Sequence, residues 1–159
     1  MPEPVRVLFV CMGNICRSPT AHAIFLKRIE EAGLDDRIVV DSCGTGGWHI
    51  GDPPDPRATE AGARRGYDLS PLRARLIRPG DMDAFDYVLV MDRDNLARST
   101  ELNPDGRTQP ELFLTYASDS PVDEVPDPYY GDGDRFEQVL DLIESACEGL
   151  LDHIREHRL

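Results

Sequence analysis

The run Val5–Val10 (VRVLFV) is almost wholly apolar and ends on Cys11. Five residues then separate Cys11 from Arg17, and Ser18-Pro19 follow at once. An apolar, β-rich run of this kind suits a strand buried on both faces of a parallel sheet. Ser18 is expected as a helix cap with Pro19 at the first helical position. Ala21, Phe25, Ile29 and Ala32 continue at helical spacing, and Gly33 marks a stop. A strand, a tight loop and a helix in direct succession commit the chain to an α/β architecture.

The rest of the chain repeats that alternation. Arg37–Asp41 reads as a second strand, Ser42–Pro56 as a Gly- and Pro-rich loop, and Arg57–Gly66 as a helix. Tyr67–Asp83 reads as a loop with one short helix. Tyr87–Met91 is a third strand, Asp92–Leu102 a helix, and Leu112–Tyr116 a short fourth strand. After a long loop, Phe136, Val139, Leu140, Ile143, Cys147, Leu150, Leu151 and Ile154 form the apolar stripe of a final helix, with Asp134 and Glu137 as a capping-box-like start. The expectation is one domain over residues 1–159, with a parallel sheet and right-handed crossovers.

Composition removes several classes of function. A net charge of −13 repels nucleic-acid phosphates. No apolar run approaches the ~18 residues of a membrane span, and the start does not read as a signal peptide. Cys11, Cys16, Cys43 and Cys147 do not make a small secreted disulfide framework, so a cytoplasmic chain with reduced thiols is expected.

A short loop between a strand and a helix can turn its backbone N–H groups inward, here those of Met12, Gly13, Asn14, Ile15 and Cys16. Gly13 is expected to supply the backbone freedom that such a turn needs. The helix N-terminus adds partial positive charge, and Arg17 adds a planar fork that fits two oxygens of an oxyanion. Helix N-termini and nearby cations favour thiolate over thiol, so a cradle for a tetrahedral anion also readies Cys11 as a nucleophile. Ser18 is placed to donate to the sulfur when it departs. A Walker-type nucleotide loop is excluded, because no G-K-[ST] follows.

A phosphorylated cysteine needs a proton donor for the leaving group and later a base for water, and one carboxyl group can serve both steps. Asp127, between Pro126 and Pro128 in the long loop, is the candidate. Tyr129 and Tyr130 beside it offer aromatic faces at a pocket rim. Ligands of open α/β sheets bind beyond the carboxyl ends of the strands, where Cys11, Ser42, Asp92 and Asp127 are all expected.

These stretches, "VLFVCMGNICRSP", "DSCGTGGWHIG", "VLVMDRDN" and "DPYYGD", come in an order and at distances that resemble the low-molecular-weight protein tyrosine phosphatases over nearly the whole chain. The resemblance implies a three-layer α/β/α fold with a four-stranded parallel sheet and a phosphate loop after the first strand. It implies hydrolysis of phosphotyrosine on proteins in two steps through phosphocysteine at Cys11, with Arg17 as the clamp and Asp127 as acid and then base. Asn14 and Ser42 would hold the loop in shape, and Ser18 would ease thiolate departure. Asp92 would orient Arg17, or alternatively cap the helix after Met91. No metal and no organic cofactor are implied, and a monomer is expected. The sequence departs from the family where Leu72 stands in place of a histidine in the stretch Ser70–Leu76, which predicts a thinner or rewired hydrogen-bond network behind the loop.

Cys16 is a candidate for a reversible disulfide with Cys11 or, alternatively, a packed thiol. Trp48 either flanks a substrate ring beside Tyr129 or anchors its loop to the core. Cys43 and Cys147 are expected in the core, and Arg64, Arg65, Arg73, Arg75 and Arg78 at the solvated surface. An arsenate reductase on the same fold would need relay cysteines, and Leu76–Asp94 contains none. A protein arginine phosphatase is expected to carry threonine at Ile15. A phosphocarrier would not need Arg17 together with Asp127, and a non-catalytic phosphotyrosine-binding module would not need the full set of nucleophile, clamp and acid.

Overall fold

A computed structural model of the chain describes residues 3–118, 120–130 and 133–159, with the side chains of Tyr130 and Asp134 outside the description. The strands are β1 (Val5–Cys11), β2 (Ile38–Gly44), β3 (Tyr87–Val90) and β4 (Glu111–Leu112). They form one parallel sheet in the order β2-β1-β3-β4. The helices are α1 (Arg17–Glu31), α2 (Pro56–Arg64), α3 (Asp81–Ala84), α4 (Arg93–Leu102) and α5 (Gly133–His157).

The period of two in β1 divides the core. Val7, Phe9 and Cys11 point into the layer shared with residues of α1, α2 and α5. Leu8 and Val10 point into the opposite layer with Met82, Phe85 and Leu96. Three layers result, as expected. Phe9 meets Phe25 of α1 and Phe113 edge-on, with ring centroids 5.9 and 5.0 Å apart. Burying a ring of this size contributes about 1.5–3 kcal/mol, so these contacts fix α1 against the sheet and hold the Cys11–Arg17 loop between two anchored ends.

Three expectations are corrected. The fourth strand ends at Leu112, and Phe113–Tyr116 is a 3-10 helix. A strand would send Phe113 and Leu114 to opposite faces, whereas the turn buries both in the same layer. The second strand extends to Gly44, because Ser42, Cys43 and Gly44 continue the pairing with β1 as far as Cys11. Helix α1 starts at Arg17 after Cys16, so Ser18 is not its cap. Pro19 is tolerated because first-turn N–H groups lack helical partners anyway. The capping box read at Asp134 lies outside the described residues.

Candidate active site

Strand β1 delivers Cys11, buried, to one end of a loop, and α1 opens at the other with Arg17. The residue that takes the left-handed conformation in between is Asn14, with φ 58°, and not Gly13. Asparagine is among the few residue types enriched there, and here both ends of its amide are tied. Its Nδ2 donates to Ser18 Oγ at 2.8 Å, and its Oδ1 accepts the Arg75 N–H at 3.0 Å. Its own N–H points to Cys11 Sγ at 3.3 Å. Ser18 Oγ lies 3.0 Å from the same sulfur and 3.3 Å from the Cys43 carbonyl. A hydroxyl has one proton, so Ser18 donates either to the sulfur or to that carbonyl. An anionic sulfur draws the proton to itself.

Gly13 is closely approached by a side chain instead. A Cβ there would lie 3.2 Å from Cδ2 of His49, whose ring rests against the loop. Gly44 is the glycine that the loop requires, since a Cβ on it would lie 2.7 Å from the Met12 carbonyl oxygen.

Arg17 is 3% exposed. Its Nη1 donates to Asp92 Oδ2 at 2.7 Å and to the Val125 carbonyl at 3.0 Å, while its Nη2 stands 3.7 Å from Asp127 Oδ2. Burial opposes the guanidinium charge, but Cys11, Asp92 and Asp127 together outweigh it and raise the Arg17 pKa. The two readings of Asp92 both hold. Its Oδ2 takes Arg17 and its Oδ1 caps α4 by accepting the Asn95 N–H at 2.8 Å. Asp127 uses Oδ1 to accept the Tyr129 N–H at 3.0 Å, which leaves Oδ2 towards Arg17.

These residues line a cleft of about 370 Å³. Cys11, Met12, Gly13, Ile15, Cys16 and Arg17 contribute from the loop, and Trp48, His49, Asp127 and Tyr129 from the surrounding segments. Trp48 is 73% exposed, so it is not a core anchor. Asn14, Ser18 and Asp92 support the loop from behind, and neither they nor Ser42 are among the lining residues; the expected hold of Ser42 on the loop is replaced by hydrogen bonds to His22 and Asp41. The Tyr130 side chain lies outside the described residues. Cys16 is a free thiol, and burial, reinforced by Asp55, pushes its pKa up. Cys43 and Cys147 are buried free thiols, as expected.

Leu72 packs against the core. Ser42 turns its hydroxyl to His22 Nδ1 at 2.9 Å. Burial lowers the His22 pKa, with Asp41 opposing, so the ring is neutral near pH 7. Arg75 is not a solvated surface residue. Its guanidinium reaches Asp41 at 3.0 Å and Asp81 at 3.1 Å while its N–H holds Asn14. Arg65 likewise pairs with Glu137 at 3.0 Å and with Asp141 at 2.9 Å. His22 and Gly44 leave no mark in the sequence, and Arg75 reads there as a surface residue, because each acts through a contact made by the fold.

The family description "low molecular weight phosphotyrosine protein phosphatase" matches residues 6–159. A protein of that name from Schizosaccharomyces pombe is 46% identical over 156 residues, covering 94% of this chain and 99% of its own. The crystal structure of YfkJ from Bacillus subtilis superposes with a TM-score of 0.93 at 40% identity, covering 99% of both chains. A Drosophila arginine phosphatase has a TM-score of 0.86 at 30% identity, covering 94% of this chain and 97% of its own. On the family match and the full-length identity together, the chain belongs to the low molecular weight phosphotyrosine protein phosphatase family.

Proposed function

We propose that the protein hydrolyses phosphotyrosine on protein substrates through a phosphocysteine intermediate. One observation supports this above all: the sulfur of Cys11, the Arg17 guanidinium and the Asp127 carboxyl meet in one cleft at the carboxyl end of the sheet. In the first step the Cys11 thiolate attacks phosphorus. The bond from phosphorus to the tyrosyl oxygen breaks, and Asp127 delivers its proton to that oxygen. Loop N–H groups and Arg17 take the charge on the phosphoryl oxygens. In the second step water attacks phosphorus and gives its proton to Asp127, which is now a carboxylate. The S–P bond breaks, inorganic phosphate forms, and the Ser18 hydroxyl donates to the departing thiolate. Trp48 and Tyr129 flank the substrate ring.

The arsenate reductase reading has no support here, since Leu76–Asp94 carries no relay cysteine and the buried Cys43 and Cys147 do not line the cleft. Ile15, in place of threonine, disfavours phosphoarginine. Free thiols fit a reducing compartment, and we assign the protein to the cytoplasm as a monomer. Among the described residues no helix is long and apolar enough to cross a membrane.

The test is phosphate release from a phosphotyrosine peptide, with phosphoarginine and arsenate in parallel, by wild type, Cys11→Ser and Asp127→Ala. Turnover of phosphotyrosine should vanish with the first substitution and fall by about 10²–10³-fold with the second. Turnover indifferent to Cys11, or a preference for phosphoarginine, overturns the proposal.

A further inference from the structure

The loop that carries Asp127 is not tied to the phosphate loop by Arg17 alone. A second connection runs through Asp55 and Arg57. The Asp55 N–H donates to the Ile15 carbonyl in the phosphate loop at 2.8 Å. The Asp55 carboxylate is buried and caps α2 by accepting the Arg57 N–H at 2.7 Å. The same carboxylate receives the Arg57 side chain through a fork, Nε at 3.2 Å and Nη2 at 3.1 Å. Nη2 spends its second proton on the Tyr129 carbonyl at 3.1 Å. The guanidinium also lies over two rings, 5.4 Å from the centroid of Tyr129 and 5.2 Å from that of Phe136. Tyr129 closes the chain of contacts, because its N–H donates to Asp127 Oδ1.

We infer that Arg57 is a positioning residue that straps the Asp127 loop to the phosphate loop and so sets the reach of the proton donor. This rests on Asp127 as the acid of the proposed reaction. An exposed ion pair by itself contributes little. This guanidinium differs because its fork is held by a buried carboxylate, which fixes the nitrogen that meets Tyr129. The consequence is kinetic. Without the strap, Tyr129 and the carboxyl bonded to it lose their register against Arg17 and Cys11. Nucleophilic attack needs only the phosphate loop, whereas protonation needs the two loops in register.

Leaving groups separate these effects. A nitrophenolate departs readily without a proton, and a phenolate or a tyrosyl oxygen does not. The value of kcat/KM covers the steps up to that departure. The experiment compares para-nitrophenyl phosphate with phenyl phosphate for wild type, Arg57→Met, Arg57→Lys, Asp127→Asn and the Arg57→Met/Asp127→Asn double variant. Melting temperatures are measured beside the rates.

Arg57→Met keeps an apolar stem against the rings and removes the fork. It should slow phenyl phosphate about tenfold more than para-nitrophenyl phosphate. Arg57→Lys should recover only part of the loss, because an ammonium lacks the fork by which Nε and Nη2 span both Asp55 oxygens and the Tyr129 carbonyl. The double variant should be no slower than Asp127→Asn alone. Equal losses on both substrates, or losses that multiply in the double variant, overturn the positioning role. Should Arg57→Met fail to fold, Arg57→Lys carries the same comparison of substrates. If Asp127→Asn itself shows no dependence on the leaving group, the acid assignment fails, and the strap falls with it; that outcome is read from the single Asp127 variant without any change at Arg57.

Discussion

Gly44→Ala tests how the phosphate loop is held. Gly44 pairs with Cys11 across β1 and β2. A methyl group on it would stand 2.7 Å from the Met12 carbonyl oxygen and 3.1 Å from both the Asn14 nitrogen and the Gly13 carbonyl carbon. All three are backbone atoms, so no side-chain rotation relieves the clash. Gly44 itself cannot withdraw easily. Its N–H donates to the Arg75 carbonyl at 2.9 Å, and its carbonyl accepts the Ile77 N–H at 2.8 Å. The loop must therefore give way. Restoring an ordinary carbon-to-oxygen contact of about 3.3 Å takes a shift of roughly 0.6 Å. Overpacking on this scale costs about 1–3 kcal/mol, and the larger effect falls on chemistry. A displacement approaching 1 Å at the reacting groups is worth about a hundredfold in rate. The expected variant folds, melts somewhat earlier, and loses about ten- to a hundredfold in kcat/KM on a phosphotyrosine peptide. Its inhibition by inorganic phosphate weakens as well, because the N–H groups that meet the oxyanion have moved. A folded variant with wild-type kcat/KM and unchanged phosphate inhibition would refute the reasoning.

Three further outcomes are expected. Arg17→Lys should lower kcat/KM by about a hundredfold or more on the same peptide, since an ammonium lacks the planar fork that holds Asp92 and the Val125 carbonyl with one nitrogen and leaves the other for an oxyanion; a loss below about threefold would contradict the clamp. Burial depresses the His22 pKa, so below the ordinary imidazole value of about 6.5 the unfolded chain binds a proton that the folded chain resists. Stability should thus fall as the pH drops from about 6.5 towards the folded value, and urea midpoints at about pH 7.5 and about pH 5.5 should differ less in His22→Gln than in wild type. Moderate salt should change kcat/KM by less than about tenfold, because it screens repulsion along with attraction; a steep monotonic fall would show that long-range attraction dominates.

Sequence legibility followed the range of the interactions. The strand, the Cys11–Arg17 loop and α1 were readable because their geometry is local. Proline in the first turn, an apolar strand and the apolar face of a helix leave marks within a few residues. The expectation that Gly13 supplies the backbone freedom of the loop is corrected for the same reason. A glycine is the local expectation, but Asn14 is held there by Ser18 and by the Arg75 N–H, 61 residues away in sequence. Gly13 instead lies under the His49 ring, 3.2 Å from where a Cβ would stand. The fourth strand was misjudged because Leu112–Tyr116 is an apolar run whose period does not reveal its structure. Only the packing of Phe113 and Leu114 into one layer distinguishes a 3-10 turn from a strand. Asp92 was open between two roles because each needs one carboxylate oxygen, and the structure uses both oxygens.

The same local bookkeeping reconciles a net charge of −13 with a doubly negative substrate group. Many carboxylates are held by arginines away from the cleft. Arg75 takes Asp41 and Asp81, Arg65 takes Glu137, Asp141 and Glu144, and Arg93 takes Asp123 and Glu124. Among the described residues that line the cleft, Asp127 is the one carboxylate, and it faces Arg17. Charges beyond about 8 Å are largely screened at physiological salt. An arriving phosphoryl group therefore meets the remote negative charge mainly as a weak, salt-sensitive barrier to approach. Its affinity is set inside the cleft, by N–H dipoles and one guanidinium that no salt concentration removes. A chain of this composition can thus bind an anion without a basic surface, provided that the donors are fixed before the anion arrives. That is the physical reason for spending Asn14, Ser18, Gly44 and Arg75 on the shape of a loop that only some of them line.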